Sequence, residues 1–498
     1  MDDENEGAGL GSEARKRSMR AITADGMAYS VMAGLGDAYL PAALVLLGAG
    51  DFMIGLLAAL PQFLGASLQF LSLSAMRIVR SRKILVMAGS ALQALSWLGI
   101  AAMVFWPAPL SVEIIVALFS IGVGSALFIN PAWSSWVADI VHSNERPAFF
   151  ANRNKLMQLV LFVVIFGAGY AINRLEMGFS AAVAFSAVFF VAFAARALTV
   201  YYHVRTADVP YEIKLMNEIR LKHLFLLPAY KNELWFLAFV ALMNFAVQFA
   251  SPFFTPYMLH SLGMDVGALG ALTAIAIITK IICFPYWGAA IDRFTNRMVL
   301  IATALAVPFV TFLWLFSTDF WMLALFQVFS GFVWAGYDLA VFNSALGLVG
   351  RDLRPSFISK YNAFSAFANG LGALAGGYFL FAYPGFAVLG FSGILLVFLL
   401  SSAMRLAVAL IFAPHIARGR DVLNRHEDRA MVFKIVAVYP TQGAVAQVMN
   451  GWDFTRKIVT RSTESSGEML KEGIEATGEI VKEGGRKLMG KLSRRGRL

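Results

Sequence analysis

The sequence predicts an all-α polytopic membrane protein, with twelve transmembrane helices in two six-helix bundles and a cytoplasmic C-terminal tail. The 498-residue chain is 59% hydrophobic and only 14% charged. Apolar segments of about twenty residues or more recur along it, and each is long enough to cross a hydrocarbon core of about 30 Å. The predicted helices 1 to 12 cover residues 27–48, 52–74, 84–105, 112–138, 152–172, 179–203, 234–258, 266–290, 298–316, 320–345, 359–382 and 386–413.

The distribution of basic residues predicts the orientation. If the N-terminus is cytoplasmic, the loops that follow helices 2, 4, 6, 8 and 10 contain the Lys and Arg residues, and the opposite loops contain only Arg174. Cytoplasmic loops carry such an excess, so both termini are expected in the cytoplasm. We expect the plasma membrane, or the inner membrane if the source is a Gram-negative bacterium. The net charge of +10 is then a topology signal, and no nucleic-acid partner is expected.

Internal repetition predicts two halves. The polar connection 204–233 separates six helices from six, and a shift of 208 residues aligns RPAFFANRN (146–154) with RPSFISKYN (354–362). A shift of 215 aligns Pro41 with Pro256 and Arg82 with Arg297. A parallel duplication of six helices explains these offsets. The predicted units are an N-terminal tail 1–26, a bundle 27–203, a linker 204–233, a bundle 234–413 and a tail 414–498.

Three charged residues are predicted to lie at membrane depth. They are Asp37 in helix 1, Lys280 in helix 8 and Asp338 in helix 10. Such groups are costly in a membrane and usually face the bundle interior. Two interpretations stay open: a carboxylate that binds a substrate cation or a coupling proton, or a structural ion pair of Lys280 with Asp37 or Asp338. Arg196 and Arg405, near the cytoplasmic ends of helices 6 and 12, are expected to snorkel to the interface.

The sequence shows no sign of an enzyme or a metal protein. Cys283 is the only cysteine, which excludes a disulfide within the chain and a cysteine metal site. No phosphate-binding Gly-rich loop, nucleophile–base pair or metal-ligand cluster stands out, and no histidine is predicted at mid-membrane. We therefore expect no catalytic residues, no cofactor and no metal.

The segment WGAAIDRFTNR (287–297) follows helix 8 and carries a family motif. With the twelve helices, the 6+6 duplication and the long central loop, it resembles the major facilitator superfamily (MFS). The family pattern is Gly-x-x-x-Asp-Arg/Lys-x-Gly-x-Arg/Lys-Arg/Lys. Gly288, Asp292, Arg293 and Arg297 fit it, whereas Thr295 replaces the inner glycine. The aligned segment of loop 2–3, LSAMRIVRSRK, lacks both the Gly and the Asp.

The resemblance implies a secondary transporter, a symporter or antiporter, in which helices 1, 4, 7 and 10 line a central cavity. Beside the three charged residues, the implied substrate candidates are Asn130, Trp133, Trp136, Asn244, Gln248, Trp334 and Tyr337. These aromatic rings and amides would suit a small polar organic solute, although buried Trp and Tyr commonly just fill space. The motif residues are gate candidates, and so are Arg146 and Arg354, which could equally be plain topology determinants.

The C-terminal tail holds two copies of an 11-residue repeat, GEMLKEGIEAT and GEIVKEGGRKL. This period predicts an amphipathic helix at 467–492, and its basic end favours binding to anionic lipid. A partly disordered tail or a short coiled-coil segment is the alternative.

Three functions stay open on the sequence. The first is alternating-access transport of a small organic solute by a monomer, with proton coupling as a hypothesis. The second is a flippase for a lipid or lipid-linked substrate on the same fold. The third is a transporter-like sensor or scaffold.

Overall fold

The computed structural model describes residues 11–142, 145–209, 230–349, 353–412 and 415. Twelve helices in this part of the chain are long and apolar enough to cross a membrane, as predicted. We number them as spans 1 to 12. In the first half they are Ser12–Leu35 with Leu40–Leu46 (span 1), Asp51–Val79, Arg82–Phe105, Ser111–Ile140, Arg146–Glu176 and Ala181–Arg205. In the second half they are Lys231–Gln248 and its continuation to Ser261 (span 7), Val266–Phe294, Asn296–Phe312, Phe320–Gly347, Arg354–Ala382 and Gly393–Phe412.

The packing of the first half recurs in the second half. Span 3 packs on spans 4 and 6, span 4 on span 2, and span 1 on spans 5 and 6. Adding six to each number gives the packing of the second half: 9 on 10 and 12, 10 on 8, and 7 on 11 and 12. The two bundles meet through spans 2 and 11 and through spans 5 and 8, which are also equivalent pairs. The duplication that the sequence predicts is therefore present in the packing.

Glycines bring the two bundles together on one side of the membrane. We call the side on which span 1 begins and span 12 ends the tail side, and the opposite side the far side. A Cβ added at Gly55 of span 2 would lie 2.8 Å from the Ala373 carbonyl oxygen of span 11. A Cβ added at Gly169 of span 5 would lie 3.1 Å from the Val266 carbonyl oxygen of span 8. Small residues let helix backbones approach this closely. Both contacts lie near far-side helix ends, so the bundles are closed together there.

Span 1 is interrupted before Pro41. Its first helix ends at Leu35, and its second piece begins at Leu40. A proline lacks the N–H that would bond to the carbonyl four residues earlier, and its ring clashes with that carbonyl. For Pro41 that carbonyl belongs to Asp37, so Asp37 lies in the break. Gly36 makes room beside it, since a Cβ there would meet the Trp97 ring.

Span 7, the equivalent of span 1, is also interrupted. Its α-helix ends at Gln248, four residues before Pro252. A 3-10 turn Ser251–Phe253, a helical turn Phe254–Pro256 and a π-helical turn Tyr257–Ser261 carry the chain to the far side. The first span of each half is thus a discontinuous helix.

Two predicted helix boundaries are wrong. Span 1 begins at Ser12 and not at residue 27, because Ser18 and Asp25 are buried between helices instead of lying in a solvated tail. Span 12 begins at Gly393 and not at residue 386, because residues 387–392 form a β-hairpin. Its strands Ala387–Val388 and Phe391–Ser392 are antiparallel, and the two loop residues 389–390 both have positive φ, as a tight hairpin needs. The predicted tail helix 467–492 and most of the linker lie outside the described residues.

The glycine contact between spans 5 and 8 yields a test of the closed far side. Gly169→Val should push the bundles apart there, because its Cβ would lie 2.8 Å from the Tyr39 hydroxyl and close to span 8. Spin labels at the exposed far-side positions 109 and 318 should report a distance that grows by several ångström relative to the parent protein.

Gly167→Val is the matched control. It places the same side chain two residues away on the same helix, where a Cβ meets nothing within 4 Å. An equal distance change in both variants would show that helix propensity, and not the contact between the bundles, causes the effect.

Candidate functional site

The break in span 1 places a carboxyl group inside the N-terminal bundle. Asp37 is half-buried, and its Oδ1 atom is buried without a hydrogen-bond partner in the described part of the chain. Arg196 of span 6 is the cation that acts on it electrostatically. Two residues on, Tyr39 is fully buried, and its hydroxyl donates a 2.5 Å hydrogen bond to the Ile165 carbonyl of span 5. The break is therefore held to span 5 while Asp37 keeps an oxygen available for a ligand or a proton.

The break in span 7 places two amide side chains in the C-terminal bundle. Gln248 is the last residue of the helix, and Asn244 lies one turn before it; both are half-buried. Residues four apart share a helix face, so the two amides present hydrogen-bonding groups in one direction beside the break.

Lys280 and Asp338 form an ion pair between spans 8 and 10. The Lys280 Nζ atom lies 2.5 Å from the Asp338 Oδ2 atom, and the two side chains are 35% and 43% exposed. The structural interpretation of these charges therefore holds for this pair in this conformation. Because both side chains are partly exposed, a solute or a proton could still reach them.

The aromatic candidates of span 10 flank this ion pair. Trp334 is half-buried, and its ring meets the Tyr337 ring edge-on at 5.5 Å. Tyr337 is 3% exposed, and its hydroxyl has no hydrogen-bond partner among the described residues. Tyr337 thus packs beside Asp338 as part of the bundle interior, whereas Trp334 keeps an accessible edge.

The candidates of span 4 divide into two groups. Asn130 and Trp133 line a cavity of about 250 Å³ within the N-terminal bundle. Trp136 does not line it. That side chain is 1% exposed, and its Nε1–H donates to the Ala207 carbonyl at 3.0 Å. Trp136 therefore has a structural role, because it holds the start of the linker against span 4.

A charge cluster that the sequence did not predict also lines this cavity. Asp25 of span 1 lies between Arg153 of span 5 and His203 of span 6, and all three side chains are less than 10% exposed. The Arg153 guanidinium lies over the Trp133 ring, 4.7 Å from its centroid. We call Asp25, Arg153 and His203 the N-bundle charge cluster. Sequence reasoning missed it because it assigned residue 25 to a solvated tail.

Arg196 and Arg405 do not snorkel as expected. Arg196 is 4% exposed and donates to the Ser90 and Thr199 hydroxyls, and it also lines the cavity. Arg405 is 2% exposed and donates to the Val247 carbonyl next to the break in span 7. Both guanidiniums find their partners within a bundle, so neither has to extend to the membrane surface.

The tail-side turns between spans 2 and 3 and between spans 8 and 9 are anchored to equivalent helices. In the first, Arg82 is 1% exposed and pairs with Asp139 of span 4 at 2.6 Å. In the second, the Asn296 amide donates to the Ala340 carbonyl and the Ser344 hydroxyl of span 10. Arg82 thus supplies an anchor to the turn whose motif copy is degenerate.

The gate candidates of the second turn are mostly accessible. Asp292 and Arg293 are exposed, Arg297 is half-buried, and a Cβ at Gly288 would meet nothing within 4 Å. Thr295 has φ +100°, a backbone region that strongly favours glycine. The family pattern has glycine at this position because glycine adopts such a φ without strain. The threonine of this chain adopts it at a cost in backbone strain.

The two remaining gate candidates begin spans 5 and 11. Arg146 donates to the Val141 and Ala138 carbonyls at the end of span 4, so it caps that helix. Arg354 is the first residue of span 11, and its side chain lies outside what the structure describes. A gating role of either residue stays a prediction.

Comparison with known proteins gives a family match for part of the chain. The Major Facilitator Superfamily sequence model matches residues 234–452. The match covers the C-terminal half, which also contains the better copy of the MFS turn motif. No curated protein matches the chain.

Solved MFS structures share the fold over both halves. A mutant of the nucleoside transporter NupG is 13% identical and covers 80% of this chain and 100% of its own, with a TM-score of 0.66. The D-xylose-proton symporter is 12% identical and covers 82% and 99%, with a TM-score of 0.62. A bacterial homologue of the iron transporter ferroportin, in an inward-facing state, is 13% identical and covers 81% and 99%, with a TM-score of 0.60. These likenesses concern the MFS fold.

The strained turn between spans 8 and 9 generates a stability prediction. Thr295→Gly should raise the free energy of unfolding by about 1 kcal/mol, since relief of the positive-φ strain exceeds the loss of the weak Thr295 cap on the Met298 amide. Thermal unfolding in detergent should show a higher midpoint. Thr295→Ala keeps the Cβ and loses the cap, so its midpoint should fall; a glycine variant that unfolds below the alanine variant would contradict the strain.

Proposed function

We propose that the protein is a secondary transporter, which carries a small organic solute across the membrane by alternating access of its two bundles. The observation that carries this proposal is the pair of discontinuous helices, spans 1 and 7, at equivalent places in the two halves. Transporters with internal repeats typically form their substrate and ion sites at such breaks. Here the breaks hold Asp37, with a buried oxygen that lacks a partner among the described residues, and Gln248.

The contacts between the bundles suit a rocking motion. Spans 2 and 11 and spans 5 and 8 are related by the duplication, and each pair meets at glycines on the far side. The close approach at glycines lets these helices pack backbone to backbone. A mirror state, with the far side open, would then expose the same site to the opposite face of the membrane.

The related structures support the class of function and leave the solute open. They include a nucleoside transporter and a D-xylose-proton symporter, which handle different solutes. For this chain we assign a small polar organic solute, because aromatic and amide side chains lie beside the charged groups: Asn130, Trp133, Asn244, Gln248 and Trp334.

We infer proton coupling from the same geometry. The Lys280–Asp338 pair is partly exposed, so protonation of Asp338 would break it and release Lys280. Asp37 is the second candidate, because its carboxyl group has an oxygen free for a proton. We further propose a monomer in the plasma membrane, with both termini cytoplasmic and a tail that binds anionic lipid.

Solute flux in proteoliposomes tests the proposal. Sugars, amino acids, organic acids and nucleosides are first screened by thermal shift, since a ligand that prefers the folded state raises its stability. A stabilising solute should then be taken up, and its uptake should change the internal pH. Asp37→Asn together with Asp338→Asn should reduce that pH change.

Asp319→Asn is the matched control, because Asp319 only caps the exposed far-side start of span 10. Its pH change should equal that of the parent protein. An unaltered pH change in the double variant would contradict proton coupling through these residues, and absence of uptake for every stabilising solute would contradict transport itself.

A further inference from the structure

We propose that the solute is a small organic anion, whose carboxylate binds Arg153 while His203 takes up a proton. This inference rests on the proposed function and names the substrate class and the coupling ion. It adds His203, in the N-bundle charge cluster, to Asp37 and Asp338 as a further site for a proton.

Arg153 has the geometry of a carboxylate-binding residue. A guanidinium has five N–H donors in a planar fork that fits a carboxylate bidentately. The Arg153 Nε–H donates to the Ile22 carbonyl at 3.1 Å, while Nη2 lies 3.6 Å from Asp25 Oδ2, beyond hydrogen-bond distance. The side chain is 9% exposed and lines the cavity. Trp133 supports the guanidinium on one face and offers an apolar wall to the body of a ligand.

Asp25 is shared equally by two partners. One of its oxygens lies 3.6 Å from Arg153 Nη2, and the other lies 3.6 Å from His203 Nε2. His203 carries a charge only when it is protonated. With a neutral imidazole, Asp25 neutralises Arg153. With an imidazolium, Asp25 is drawn to His203, and Arg153 can pair with another anion.

The charges of the cluster balance when the proton and the anion bind together. Without ligand, the charges of Asp25 and Arg153 cancel. With both ligands, Asp25 balances the His203 imidazolium, and the ligand carboxylate balances Arg153. Because an uncompensated charge is costly inside a bundle, binding either ligand alone is disfavoured. The arrangement therefore couples one proton to one carboxylate, which corresponds to symport.

Four other titratable or charged side chains among the described residues act on Asp25 or His203. The titratable or charged groups that face Asp25 and His203 are Tyr29 of span 1, Lys83 of span 3, Arg153 of span 5 and Arg196 of span 6. Lys83 is fixed by the Val204 and Thr206 carbonyls, and Trp136 packs against the His203 ring. Compared with unperturbed tyrosine, lysine and arginine side chains, an unperturbed histidine imidazole changes its charge closest to neutral pH.

The access route also favours an anion. A second cavity, of about 430 Å³, lies between the tail-side ends of spans 1 and 5 and shares Arg153 with the first. Together the two cavities are lined by four cations and two carboxylates besides His203: Arg15, Lys16, Arg153 and Arg196, against Asp25 and Glu145. A cleft with an excess of one charge concentrates ligands of the opposite sign.

Span 5 connects the cluster to the contact between the bundles. Arg153 lies near its tail-side end, and the same helix accepts the Tyr39 hydrogen bond at Ile165 and touches span 8 at Gly169. A carboxylate that takes Arg153 away from Asp25 loosens span 5 from span 1. Occupancy of the cluster is thereby linked to the helix on which the far-side closure depends.

Binding to the purified full-length protein tests the proposal. The probes are lactate, benzoate, succinate and glutamate, each with its carboxamide counterpart, measured by calorimetry at about pH 6 and about pH 8. At least one carboxylate should bind, its amide should bind at least about tenfold more weakly, and its affinity should fall about tenfold or more at the higher pH. Arg153→Gln should abolish binding, and Arg153→Lys, which keeps the charge, should weaken it.

Two variants separate this proposal from a structural role. His203→Gln can still hydrogen-bond Asp25, so a carboxylate should still bind but with the pH dependence lost. Arg174→Gln is the matched control on the same helix, because Arg174 lies at the exposed far-side end against Tyr170; its binding should equal that of the parent protein.

Several results would overturn the proposal. They are binding of none of the four carboxylates, amides that bind as tightly as acids, undiminished binding in Arg153→Gln, or full pH dependence in His203→Gln. If a neutral solute is taken up equally by the parent protein and by Arg153→Gln, the substrate class is wrong and the transport function stands.

Discussion

The cost of placing charge inside a membrane protein governs the arrangement of this molecule. Each buried cation of the described chain is held by partners inside a bundle. Arg82 pairs with Asp139, Arg153 with Asp25, and Arg196 is held by two hydroxyls. Such groups persist only when they are paired or hydrogen-bonded locally. A site that exchanges one compensating partner for another, such as Asp25 between Arg153 and His203, can therefore bind an ion without leaving a charge unbalanced.

The duplicated architecture turns such local events into a movement of whole bundles. The five largest helix contacts within each half repeat in the other, and the two largest contacts between the halves are equivalent. Proline interrupts the first span of each half. Backbone carbonyls that a regular helix would hydrogen-bond internally are therefore left without that bond at each break. Tyr39 then joins this break to span 5, which in turn touches span 8 at Gly169. A movement of the broken helix is thus transmitted through span 5 to the contact between the bundles.

Sequence reasoning succeeded where the physical signal was long and periodic. Twelve apolar segments and a nearly constant repeat offset were enough for the spans and the two halves. It failed where a polar stretch is compatible with two structures, a solvated tail or a helix whose polar side chains have buried partners. The stretch SEARKRSMRAITAD is polar enough for a solvated tail, yet it continues the helix of span 1, because Ser18 and Asp25 have buried partners far away in sequence. The Arg153 and His203 partners of Asp25 lie on spans 5 and 6, which no local pattern reveals. Thr295 was recognised as a departure from the family glycine, but its positive φ required coordinates.

A reversible lock on the far side tests alternating access most directly. Phe52 of span 2 and Phe381 of span 11 lie opposite each other, with ring centroids 5.9 Å apart. In a Cys283→Ser background, Phe52→Cys with Phe381→Cys should form a disulfide that fixes the far side closed. We expect oxidation to stop the flux of a stabilising solute and reduction to restore it, while the oxidised protein still binds the solute from the tail side. Continued flux through the oxidised protein would show that transport does not require the far side to open.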